Sequence, residues 1–163
     1  MKTIKNFYKD RVTVLIAIMQ DATFIWKSTF GIKVLNEVPQ GFDSLSTTKP
    51  PMGSNDYHLK KNIKELAELI EQETNQVIVN TWGNIIKSNK WLGAHTHNHN
   101  KKIKSVATYI VQATPNDTIT FEDQEVPVEN NMLLIFDSAL YNGIKPIERR
   151  SDFMIITFEL ADK

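Results

Sequence analysis

From Asn75 to its last residue the chain is a succession of short segments, each rich in β-branched and aromatic residues and each cut off by turn chemistry. That pattern limits the possible folds more than any other feature. Residues 77–86, 91–99, 103–113, 118–123, 132–136 and 153–160 read as strands. Lys87-Ser88-Asn89, Pro115-Asn116-Asp117, Glu129-Asn130-Asn131 and the stretch over 143–146 separate them. Over 104–112 the alternation sorts Ser105, Ala107, Tyr109 and Val111 onto one face, and Val106, Thr108 and Ile110 onto the other. Short strands at spacings of roughly 8–14 residues predict an antiparallel sandwich or barrel, not a parallel α/β sheet.

The first half is different. One helix is predicted over Tyr57–Thr74, where Leu59, Ile63, Leu66, Leu69 and Ile70 make a single apolar stripe. Ser54, Asn55 and Asp56 are its N-cap candidates, because their side-chain oxygens accept from the unpaired first-turn amides. Lys60, Lys61 and Lys64 against Glu65, Glu68, Glu71 and Glu73 form a solvated face, so the helix is expected to pack on a sheet as scaffold. Residues 12–19 and 22–30 read as strands, and 40–56 as an irregular loop with Gly41, Pro50, Pro51 and Gly53. The expectation is a single domain over 1–163. Residues 1–75 supply N-terminal strands, loop and supporting helix, and residues 76–163 supply the β core.

Composition removes several function classes. At 163 residues and 41% hydrophobic content, the chain can bury a core without staples. Nineteen basic residues balance nineteen acidic ones, which gives no excess cation for non-specific nucleic-acid binding. The absence of cysteine excludes disulfide scaffolds, thiolate zinc sites and thiol nucleophiles. The apolar run over 12–19 ends at Gln20 and Asp21, far short of the ~20 residues of a membrane span. No small-x-small cleavage site follows it, so a soluble chain without a signal peptide is expected.

The chemistry concentrates in one place. Three of the four histidines fall at His95, His97 and His99. On a strand, residues two apart point the same way, and their Cα atoms stand about 6.6–7 Å apart. Two neighbouring imidazoles can therefore converge on one transition-metal ion, whereas the outer pair, about 13 Å apart, cannot. Two of the three are expected as ligands, with a further group from elsewhere in the fold. No HExxH, P-loop, GxGxxG or GxSxG pattern accompanies them.

Taken in order, the motifs over 81–160 resemble those of Fe(II)/2-oxoglutarate oxygenase-like proteins encoded by bacteriophages. They are Thr81-Trp82-Gly83-Asn84-Ile85, the histidine run, Ser105-Val106-Ala107-Thr108-Tyr109, the segment from Phe136 to Pro146, and Arg149-Arg150-Ser151 before the last strand. The resemblance implies a double-stranded β-helix, a jelly roll with a metal inside its open end and one principal amphipathic helix packed on its sheet. It implies Fe(II), held by His97 with His99 or by His95 with His97 according to which motif anchors the alignment. It further implies 2-oxoglutarate, received by Arg149 or Arg150 with Tyr109 or Ser105. Two positions depart from the family pattern. Asn142 stands where the distal histidine is expected, and Arg149 and Arg150 are displaced toward the turn, which makes the half-site degenerate.

Three functions follow as expectations. The first is an iron-dependent dioxygenase. The second is a non-catalytic structural or accessory protein of a phage particle. The third is a structural transition metal, held for instance at a contact in a homo-oligomer. The expected location is the cytoplasm of a bacterial host cell or the virion.

Overall fold

A computed structural model describes residues 2–4 and 57–163. The strands expected over 12–19 and 22–30 and the loop over 40–56 lie outside the described residues. In chain order the described elements are β1 (Lys2–Ile4), α1 (Tyr57–Thr74), β2 (Gln76–Ile86), β3 (Leu92–His95), β4 (Ile103–Gln112), β5 (Thr118–Phe121), β6 (Gln124–Pro127), β7 (Leu133–Asp137), β8 (Asn142–Ile144) and β9 (Phe153–Asp162).

The pairing is nested. β2 pairs with β9, β3 with β8, β4 with β7, and β5 with β6, all antiparallel. This is what a long double ribbon gives when it is rolled up, and it produces two facing sheets. One has the order β1-β7-β4-β9-β2 and the other β3-β8-β5-β6. The fold is a jelly roll, the double-stranded β-helix that the motif order implied.

Among the described residues, two separate cores hold it together. Between the sheets pack Val106 and Ile110 of β4, Leu134 and Phe136 of β7, Phe121 of β5 and Ile144 of β8. On the outer face of the larger sheet, Ala107, Tyr109, Val111, Met154, Ile156, Phe158 and Leu160 pack with Leu66 and Ile70 of α1. The alternation read over 104–112 is therefore real: its odd members face the helix and its even members the sheet interior. Leu66 and Ile70, one turn apart, are the fully buried part of the α1 stripe. Asn75, in the left-handed conformation at φ 53°, ends the helix, and the Glu71 carboxylate accepts from the Ile78 amide at 3.0 Å to fasten it to β2. Among the described residues no helix is long and apolar enough to cross a membrane.

Several strand limits differ from expectation. β3 stops at His95, so the strand expected over 91–99 ends before His97. The segment over 118–123 is the first arm of a hairpin that continues into β6, with Glu122 at φ 54° in the turn. β8 is three residues long, too short to give a period-2 signal.

Candidate functional site

At the end of the β-helix where β3 gives out, a cavity of about 490 Å³ opens between the sheets. His95, His97 and His99 all line it. Because the chain leaves β3 after His95, His97 is not two residues further along a strand. Its amide instead donates to the Ser138 carbonyl at 2.8 Å, and the Ser138 hydroxyl donates to the Ile103 carbonyl at 2.9 Å. This turn folds the His97 ring back into the interior, where the residue is only 4% exposed. The His95 and His97 rings lie 4.9 Å apart between centroids, at 62° to each other. His99 lies at the exposed rim.

His97 is held from several sides. Trp82 of β2 stacks on it at 5.8 Å and 24°, and Phe136 of β7 meets it edge-on at 6.5 Å. Its Nδ1 is 2.9 Å from Oε2 of Glu159, a β9 residue with no exposed surface. The other carboxylate oxygen, Oε1, accepts from Nδ2 of Asn80 at 2.9 Å. A bulge in β2 between Ile78 and Asn80 gives Asn80 the register that pairs it with Glu159.

The charge states follow from these partners. Burial pushes the Glu159 carboxyl up, but the hydrogen bonds from His97 and Asn80 and the nearby histidines outweigh it and hold the group below the usual range. Glu159 is thus an ionised acceptor, and the proton in the His97–Glu159 bond sits on His97 Nδ1. His95 Nδ1 lies 2.7 Å from the Gly93 carbonyl, which can only accept, so this nitrogen also carries a proton. Burial is the largest influence on His95 and lowers its pKa, which keeps the ring neutral near pH 7 with an unprotonated Nε2.

Asn142, on β8, pairs in register with His95 and lines the same cavity. Its Nδ2 donates to the carbonyls of His95 and Leu140 at 3.2 and 3.3 Å, which leaves Oδ1 as the atom it can offer the cavity. β8 approaches β3 this closely because Gly143 has no side chain. A Cβ there would stand 2.9 Å from the Leu92 carbonyl oxygen and 3.1 Å from the Ala94 nitrogen. Among the described residues no three His, Cys, Asp or Glu side chains form a ready-made metal site.

The residues expected to receive a co-substrate carboxylate are elsewhere. Arg149 is buried, with Nε donating to Asp117 Oδ1 at 2.7 Å and the remaining nitrogens donating to the carbonyls of Lys87, Lys90 and Lys145. It clips together the loops beside the start of β9. Six residues of β9, about 20 Å, separate that end from Glu159. Arg150 is exposed in the same loop. Tyr109 lies in the core under α1, its hydroxyl donating to Asn131 Oδ1 at 2.7 Å, and Ser105 is on the same face of β4. None of the four lines the cavity, and among the described residues no lysine or arginine does. Among the described residues, His95 and His97 are the two imidazoles placed where they could meet one ion, and no cationic side chain lines the cavity to meet a carboxylate.

Motif reading missed Glu159 and Asn80. A signal for Glu159 existed: it is the one ionisable residue in the run from Phe153 to Leu160, and period 2 puts it on the face of Ile155 and Thr157.

No protein-family model matches the chain, and no curated protein sequence does. Solved structures match it throughout. AviO1 from Streptomyces viridochromogenes Tue57 superposes with a TM-score of 0.65 at 15% identity, over 96% of this chain and 86% of that one. A prolyl hydroxylase from Trichoplax adhaerens, solved with a peptide fragment of the hypoxia inducible factor oxygen degradation domain, gives 0.62 at 13%, over 99% and 83%. An oxidoreductase of the 2OG-Fe(II) oxygenase family from Burkholderia pseudomallei gives 0.54 at 10%, over 66% and 60%. At these identities the likeness is one of architecture, and the chain has the double-stranded β-helix fold of the 2OG-Fe(II) oxygenases.

Proposed function

We propose that this chain holds a divalent transition-metal ion at the mouth of its β-helix through Nε2 of His95 and Nε2 of His97, and that its described residues offer a 2-oxoglutarate carboxylate no cationic partner. The observation that carries this reading is the buried hydrogen bond from His97 Nδ1 to Glu159. Metal-binding histidines almost always donate their second ring N–H to a carboxylate or a carbonyl, which fixes the tautomer and aims the other nitrogen. Here one ring has a carboxylate and the other a carbonyl, Gly93. Rings 4.9 Å apart are close enough for both to reach one ion at bonds of about 2.0–2.1 Å.

Each residue then has a distinct task. Glu159 keeps the His97 proton on Nδ1, and Asn80 steadies Glu159. Trp82 and Phe136 fix the ring plane. Asn142 offers a neutral oxygen from the facing strand. A bound ion would supply Lewis acidity and open positions for a further ligand. Arg149 takes no part, because its donors are committed to Asp117 and to three loop carbonyls.

Trp82 makes the site self-reporting, since its ring lies against His97. Titration of the metal-free chain with Ni(II) or Co(II) should quench tryptophan fluorescence at one ion per chain. His97→Ala and His95→Ala should each weaken binding at least tenfold, and His99→Ala should bind as the wild type does. Anaerobic addition of 2-oxoglutarate to the Fe(II)-loaded chain should give no charge-transfer band and no oxygen-dependent succinate. Unchanged metal affinity in His97→Ala overturns the metal site, and succinate release overturns the exclusion of 2-oxoglutarate.

A further inference from the structure

Beyond the histidines, the cavity wall contains two threonines whose hydroxyls have no hydrogen bond to another described residue. Thr108 of β4 and Thr157 of β9 are register partners, each 5% exposed, and both line the cavity. Neither hydroxyl makes a hydrogen bond among the described residues. The described side-chain atoms that are both sealed off and unpartnered lie elsewhere, at Thr118 Oγ1 and Asn131 Nδ2, so the two threonine hydroxyls open onto the cavity, where a ligand can meet them. Trp82 pairs in register with Thr157, and Asn84 and Ile155 pair beside it, so the hydroxyls are framed by an aromatic ring, an amide and an aliphatic side chain.

We infer that this wall is a subsite for a small neutral molecule bearing an amide or alcohol group, and that it discriminates against carboxylates. A hydroxyl both donates and accepts, and so does a primary amide. Cross-strand partners carry Cβ atoms about 4.5–5.5 Å apart, a span in which one amide can bond to both hydroxyls. In the metal-free chain a carboxylate would leave water for a wall with no lysine or arginine among the described residues, where the charged side chain in that lining is Glu159, of like sign. The fold's usual anionic co-substrate is thus opposed by the wall itself, quite apart from the displaced arginines.

This inference rests on reading the cavity as a ligand site and does not require the metal, so the two are tested separately. Glutaramide and glutarate have the same length and differ in charge, which makes them a matched pair of probes. The full chain is titrated with each by calorimetry or by chemical-shift perturbation, once metal-free and once Ni(II)-loaded. In the metal-free chain glutaramide should bind at least tenfold more tightly than glutarate. Thr108→Val and Thr157→Val, which keep the side-chain shape, should each weaken glutaramide about five- to tenfold, as loss of one hydrogen bond does. Glutarate or 2-oxoglutarate binding as tightly as the diamide overturns the inference. So does binding of neither compound, or valine variants with wild-type affinity. A chain that prefers the diamide yet takes up no Ni(II) keeps this subsite and loses the metal site. A chain that takes up Ni(II) without preferring the diamide keeps the metal site and loses this subsite.

Discussion

Thr157, Phe158 and Glu159 are consecutive on β9 and share one backbone, yet they belong to two very different surfaces. Phe158 faces α1, in a wall that continues through Ala107, Val111, Met154, Ile156 and Leu160 and is closed by Leu66 and Ile70. Thr157 and Glu159 face the space between the sheets. There the neighbouring inward residues include Trp82, Asn84 and Thr108 beside Ile155. The helix-covered face is mostly aliphatic and aromatic, and the hydroxyl buried within it, on Tyr109, has a partner in Asn131. The inner face at the open end carries a carboxylate, an imidazole, an amide and two threonine side chains, all on residues with little exposed surface. Burying polar atoms opposes folding unless each finds a partner, so an inner face of this composition is not the most stable one this sheet could carry. The outer face is built for cohesion, and the inner face gives some cohesion up in exchange for chemistry.

The sharpest way to break that contrast is to remove mass from the outer face. Phe158 is fully buried against the helix, and Phe158→Ala should cost about 3–5 kcal/mol of stability in a urea titration. At urea concentrations where the variant is still folded, its Ni(II) affinity should equal that of the wild type, because Phe158 lies on the opposite side of the sheet from His97. A large loss of metal affinity in folded Phe158→Ala would mean that the two faces are not separable.

Glu159→Gln comes next in size and tests the inner face. Its amide can satisfy one of the two bonds that the carboxylate accepts, and the other becomes a clash between donors or forces His97 into the wrong tautomer. The expected loss is about 1–3 kcal/mol in stability and about 10–100-fold in metal affinity. The acid limb gives an independent check. Glu159 is held below its ordinary range in the folded chain, so its contribution is complete above the unfolded carboxyl value near 4.5. That contribution is lost as pH falls through the lower folded value. The stability gap between the metal-free wild type and Glu159→Gln should therefore close as the pH falls below about 5. A gap that widens in acid would show that Glu159 is not the ionised partner of His97.

What the sequence made legible was local. Alternation over 104–112 sorted the two faces of β4 correctly, and the α1 stripe marked Leu66 and Ile70. Motif order and turn spacing pointed to the jelly roll. The histidine run lines the cavity and its first two rings lie side by side, as neighbours were expected to, but a continuous strand is not what brings them together. The pairing of His95 with His97 depends on β3 ending at His95 and on the Ser138 carbonyl capturing the next turn. Neither event leaves a mark in the residues at 95–99. Glu159 and Asn80 become partners only through the β2–β9 register and the bulge at Val79, some eighty residues apart in the chain. The place of Arg149 was illegible for a related reason. A buried guanidinium is expected either at a ligand or in a structural clip, and only the position of Asp117 across the barrel end distinguishes the two.

The smallest expected effect separates the two faces most cleanly. On the outer face, a change at any of the large buried side chains should be felt, because those atoms are packed on all sides. Thr108 and Thr157 are nearly as buried by exposed area, but their hydroxyls support nothing among the described residues. Replacing each by valine substitutes a methyl for a hydroxyl that none of those residues bonds, and valine suits a strand at least as well as threonine does. The double variant should therefore unfold within about 1 kcal/mol of the wild type, on the stable side, in the same urea titration that penalises Phe158→Ala. A loss of about 2 kcal/mol or more, on the order of a broken buried hydrogen-bond pair, would show that these hydroxyls hold the sheet together. The inner face would then be an ordinary polar core, with no spare hydroxyl at that wall for a ligand to meet.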